Sequence, residues 1–103
     1  MSMTRIQYLL SKLAEEAAEL SVIAQKTQQF GVNEYYAKMQ PIASNIERVQ
    51  DEFNDVLAVV EAINTELGAD AIERNPGHIL RKLDKIEHYY RYSQQCGQTE
   101  VKK

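Results

Sequence analysis

The 103-residue sequence has no tryptophan, one cysteine, two prolines and four glycines. Each scarcity excludes something. The lone Cys96 cannot form an internal disulfide, so the reducing cytoplasm is the expected compartment. No apolar run approaches the ~18 residues that a membrane span needs. The opening MSMTRIQYLL lacks the basic region, apolar stretch and cleavage site of a secretory signal. Positive charge is not in excess, with 12 Lys and Arg against 15 Asp and Glu and a net charge of −3, which argues against nucleic acid as a partner. Neither His78 nor His88 has an acid three residues before it, so the Glu-x-x-His pairs of di-iron bundles are missing. No segment alternates with the period of a half-buried strand.

What remains is helical, and the few glycines and prolines punctuate it. Thr4 to Phe30 contains neither, and Gly31 stands where a helix C′ residue belongs. Ile6, Leu9, Leu10, Leu13, Ala17, Leu20 and Ala24 recur there at helical spacing. Residues 32–43, with Pro41, form a connector. Ser44 or Asn45 caps a second helix that runs to Leu67 and closes at Gly68. Its stripe is Ile46, Val49, Phe53, Val56, Leu57, Val60, Ile63 and Leu67. Asn75-Pro76 opens a third helix reaching about Gln95, before Gly97, and residues 97–103 are expected to fray. The pieces 34–40 and 69–74 have room for a further helical turn each. The expectation is a single all-α domain over residues 1–103, a helical hairpin plus a third helix. Oligomerisation would complete it into a four-helix-type bundle.

Two stretches share one pattern of acids. LAEEAAELSVIA, residues 13–24, and VQDEFNDVLAVV, residues 49–60, align Glu15, Glu16 and Glu19 with Asp51, Glu52 and Asp55. On a helical wheel the first apolar stripe centres near ~220°, with Glu16 roughly 60° and Glu19 about 120° to one side. The second centres near ~235°, with Glu52 roughly 75° and Asp55 about 135° to the same side. Glu15 and Asp51 point outward. In an antiparallel hairpin the two edge pairs converge. Such carboxylates repel one another and resist ionising without a counter-charge, and an all-oxygen ligand set suits Mg²⁺. The i, i+3 spacing lets two side chains of one helix reach the same ion. Solvated acidic faces are common on helices, and it is the second copy on a matching edge that favours a metal site.

This pattern resembles the all-α nucleoside triphosphate pyrophosphatases of the MazG-like group, which carry EExxE on one helix and ExxD on the next. Here the first is Glu15-Glu16-Ala17-Ala18-Glu19 and the second Glu52-Phe53-Asn54-Asp55. The likeness spans roughly residues 9–67 and extends loosely into the third helix. It implies Mg²⁺, with Mn²⁺ as a substitute, held by Glu16, Glu19, Glu52 and Asp55. It also implies water attack at the α-phosphorus of a nucleoside triphosphate, giving a monophosphate and pyrophosphate. Glu15 matches the first motif glutamate and would act from further out or through water. The implied assembly is a homo-oligomer, dimer or tetramer, in the cytoplasm of a bacterium or a phage host. Members often have Gly where this chain has Ala18 and Asn54, and a Lys/Asn/Arg signature seen after the hairpin in several members is not clear here.

Lys82, Lys85, Tyr89 and Tyr92 line one side of the third helix, bordering Ile79, Leu83, Ile86 and Tyr90. The two ammonium groups suit the β- and γ-phosphates, and a tyrosine suits the base or sugar. A solvated basic face with tyrosines packed in an interface is the plainer reading of the same residues. Arg81 and Arg91 are expected on a different side. The rival to an enzyme is a non-catalytic dimerisation or partner-binding hairpin whose acids are surface charge.

Overall fold

In the computed structural model, which describes residues 2–35 and 43–101, the chain has three helices. They are α1 (Arg5–Phe30), α2 (Asn45–Leu67) and α3 (Pro76–Gln95). The all-α expectation holds for the described residues. Pro41 and most of the piece 34–40 lie outside them. The chain divides into two compact units, Met1–Ile72 and Glu73–Lys103.

In the first unit, local chemistry sets the helix ends. Thr4 caps α1 reciprocally: Gln7 N–H donates to Thr4 Oγ1 at 3.2 Å, and Thr4 N–H donates to Gln7 Oε1 at 2.8 Å. Ser44 and Glu47 repeat this capping box on α2. Gly68, at φ 71°, closes α2 in a left-handed conformation that a residue with a Cβ would resist. The piece 69–74 adds no helical turn. The Asn64 side-chain amide takes the Ile72 backbone instead, donating to its carbonyl at 2.8 Å and accepting from its N–H at 2.9 Å. That ties the Ile72 backbone to the last turns of α2 and engages groups that a further helical turn would have used.

α1 and α2 pack as an antiparallel hairpin. Arg5, at the start of α1, pairs with Glu66, at the end of α2, at 3.1 Å. At the other end, Asn45 Nδ2 donates to the Gly31 carbonyl at 3.0 Å. The seam buries Leu9, Ile23 and Thr27 of α1 against Asn45 and Ile63 of α2. Half-buried Leu13, Leu20, Val49, Val56 and Val59 fill in between.

This seam does not follow the centre of the apolar stripes. On the same wheel the buried positions centre near ~180° on both helices, about 40–55° from the stripe centres and toward the acids. A single partner helix covers only a narrow strip, and both stripes are wider than that strip. Leu10, Ile46, Phe53 and Leu57 are therefore exposed, Phe53 at 50%. About antiparallel axes, offsets of the same sign fall on the same side. These four make one apolar flank of the hairpin, and the acids lie on the other.

The second unit holds α3. Asn75 accepts the N–H of His78 at 3.0 Å and Pro76 occupies the first turn, as the sequence predicts. Beyond α3, Ser93 and Thr99 share a hydroxyl hydrogen bond and Gln94 Nε2 donates to the Glu100 carbonyl at 3.0 Å, while residues 102 and 103 of the expected tail lie outside the described residues.

Asn45 is 4% exposed, so its amide cannot exchange the Gly31 carbonyl for water without opening the turn. Asn45→Ala is expected to lower unfolding free energy by about 1–3 kcal/mol in urea titrations. Asn54→Ala, which removes an exposed amide bonded only to the Gln50 carbonyl within its own helix, should change it by less than about 0.5 kcal/mol.

Candidate metal centre

The rotation of the seam decides which acids are buried. Glu16 and Glu52 lie about 20° from its centre, and Glu19 and Asp55 about 80° to one side. Glu16 and Glu52 are accordingly half-buried, while Glu19 and Asp55 are exposed. The wheel based on the apolar stripes had put all four on the flank. The packed hairpin draws one glutamate from each helix into the joint itself.

Carboxylate oxygens of Glu16, Glu52 and Asp55 lie within 4.8 Å of one another, and so do those of Glu15, Glu16 and Glu19. Glu16 belongs to both groups and links the two motifs. Glu15, expected to point outward, thus reaches the cluster's edge, where Lys12 Nζ donates to its Oε2 at 3.1 Å. Asp51 is exposed and in neither group.

Two oxygens are buried without any hydrogen-bond partner, Oε2 of Glu16 and Oε2 of Glu52. A carboxylate oxygen in that position costs free energy unless it is protonated or meets a cation. Burial raises the pKa of Glu16 above its ordinary value, and the charge of Glu19, then of Asp55 and Glu52, adds to it. Glu52 is raised for the same first reason, with Glu19 and Asp55 next. Glu16 of α1 with Glu52 and Asp55 of α2 is an all-oxygen donor set of the kind that suits a hard divalent cation, while Glu19 groups with Glu15 and Glu16.

Beside the acids runs a groove of about 280 Å³. Glu19, Glu52, Lys26 and Arg48 line it together with Ala18, Val22 and Ile23. Lys26 and Arg48 were not singled out in the sequence. Their signal was present, since Lys26 follows Glu19 by two turns and Arg48 precedes Glu52 by one, on the same side of each helix.

On α3, Lys82, Lys85, Tyr89 and Tyr92 are exposed, with Tyr89 at 63%. Lys82 and Lys85 border a depression of about 140 Å³ together with His78 and Arg81. Arg81 therefore shares their side, contrary to expectation. One turn of helix separates it from Lys85, which brings the two long side chains together.

Compared with protein-family models, curated proteins and solved structures, the chain matches none. No helix among the described residues is long and apolar enough to cross a membrane.

The raised carboxyls bind protons in the folded chain at pH values where the unfolded chain has released them. Metal-free stability is then fully present below the ordinary carboxylate value of 4.5 and falls as pH rises through the raised values. Without divalent metal, the melting temperature is expected to rise on acidification from about pH 7 toward about pH 5. Glu16→Gln and Glu52→Gln should each flatten that slope and raise the melting temperature at neutral pH. Thermal scans across this range check both.

Proposed function

We propose that the chain is a Mg²⁺-dependent nucleoside triphosphate pyrophosphohydrolase of the MazG-like all-α type. The observation that carries this reading is the pair of buried, unpartnered oxygens of Glu16 and Glu52, in two carboxylates that approach within 4.8 Å across the helical joint. A hairpin built only to pack would place an apolar pair there, and a hairpin with merely solvated acids would turn them outward.

Glu16, Glu19, Glu52 and Asp55 hold the ion. Mg²⁺ or Mn²⁺ bound there supplies charge neutralisation, a template for phosphate oxygens and a water of lowered pKa. The exposed Glu19 and Asp55 leave the outer side of the site open to substrate. Glu15, oriented by Lys12, accepts a proton through water at the rim. Water adds to the α-phosphorus as the α–β anhydride bond breaks, giving a nucleoside monophosphate and pyrophosphate. Lys82, Lys85, Tyr89 and Tyr92 are assigned to the substrate as a basic and aromatic face. Glu16→Gln, Glu52→Gln and Asp55→Asn are each expected to abolish Mg²⁺-dependent pyrophosphate release from a panel of (d)NTPs, with folding retained and Glu15→Gln milder. Near wild-type activity in all three would reject the assignment.

The proposed assembly uses the flank opposite the acids. Leu10, Ile46, Phe53 and Leu57 are exposed there. Each is already about half covered, so its full burial gains roughly half of the ~1.5–3 kcal/mol of a wholly exposed side chain. A second copy seated on that flank makes a four-helix bundle and leaves the acidic side free. Light scattering at micromolar concentration is expected to show at least a dimer, and Leu57→Asp should shift it to the monomer. A monomeric wild type would contradict this assembly.

A further inference from the structure

We propose that the groove beside the carboxylates is the phosphate seat of the site, with Lys26 and Arg48 as the groups that hold the pyrophosphate portion of the substrate. This rests on the metal-dependent reading above and deepens it. The groove runs from Glu19 and Glu52 at its acidic part to the two cationic side chains, all on α1 and α2 of one unit.

Three features point to an anion. First, neither cation is spent on an acid: among the described residues the ion pairs are Arg5–Glu66 and Lys12–Glu15, and neither involves Lys26 or Arg48. With Glu19 and Glu52 lining the same groove, plain ion pairing would have been the simplest use of these two cations. Second, Arg48 is preset. Its Nη1 donates to Oδ1 of the buried Asn45 at 3.4 Å, which leaves other guanidinium N–H groups for a ligand. Third, about 280 Å³ lies just under the ~300–1,000 Å³ of sites that enclose a whole small molecule. The space suits a short phosphate chain, with the nucleoside outside it.

The acids and the cations then divide the ligand. At the acid end the carboxylates would hold the metal, whose charge would offset that of the nearer phosphates. Lys26 and Arg48 meet the oxygens farther along the chain, where negative charge collects as pyrophosphate departs. Arg48 supplies a planar fork of donors and Lys26 a movable point charge, a usual division of labour around phosphate. This gives the hairpin its own phosphate cations, independent of Lys82 and Lys85.

Calorimetry with magnesium and inorganic pyrophosphate tests the proposal on the full-length protein. Lys26→Ala and Arg48→Ala should each weaken pyrophosphate binding at least ~10-fold, while the affinity for Mg²⁺ alone stays within about 2-fold of wild type. Lys26→Arg should restore most of the loss, and Arg5→Ala, which removes a cation paired with Glu66 at the other end of the hairpin, should bind pyrophosphate as wild type does. Wild-type pyrophosphate affinity in Lys26→Ala and Arg48→Ala, in an enzyme that still hydrolyses triphosphates, would overturn the groove and leave the hydrolase standing. An equal loss of pyrophosphate affinity in Arg5→Ala would overturn it as well, because the effect would then be one of overall charge and not of the groove. A wild type that neither hydrolyses triphosphates nor binds magnesium pyrophosphate would overturn both.

Discussion

Two glutamates lie where α1 and α2 meet, and the rest of the first unit is arranged around that fact. Oε2 of Glu16 and Oε2 of Glu52 are shut away from water with no donor to satisfy them. Apolar side chains at those positions would make the hairpin more stable without metal. Keeping the acids concentrates negative charge between helices that are pinned at both ends, by Arg5–Glu66 and by Asn45 on the Gly31 carbonyl. Between these ends Glu16, Glu52 and Asp55 keep carboxylate oxygens within 4.8 Å of one another.

The hairpin is consequently two-sided. One flank carries Glu19, Asp55, Lys26 and Arg48, and the other Leu10, Ile46, Phe53 and Leu57. Both follow from one rotation of the seam away from the apolar stripes. Turning each helix toward its acids buries Glu16 and Glu52 and exposes the far edge of the stripe. In the proposed assembly, chemistry and association are thereby placed on opposite sides.

Much of this was legible in the residues. The caps at Thr4, Ser44 and Asn75 and the stop at Gly68 depend on local hydrogen bonds and one backbone conformation, which sequence encodes directly. The repeated acids marked the elements that come together. The rotation of the seam was not legible, because a wheel averages every apolar side chain and cannot tell those facing the partner helix from those facing elsewhere. Glu16 and Glu52 were therefore placed at the edge and lie near the middle. Asn45 was visible only as a possible cap, since its bond to Gly31 crosses the connector. Lys26 and Arg48 escaped notice for a related reason: each lacks a motif of its own and gains meaning from the groove between the helices.

Carbon-13 NMR of the glutamate side-chain carboxyls, followed through a pH titration without and then with Mg²⁺, tests the central claim most directly. Without metal, Glu16 and Glu52 should titrate above the ordinary carboxylate range, because burial and Glu19 disfavour their charged forms. With Mg²⁺ both should move below that range, because the ion reverses the sign of the local field. Ordinary titration of both residues, unmoved by Mg²⁺, would mean that no cation meets these oxygens, and the metal centre would have to be abandoned.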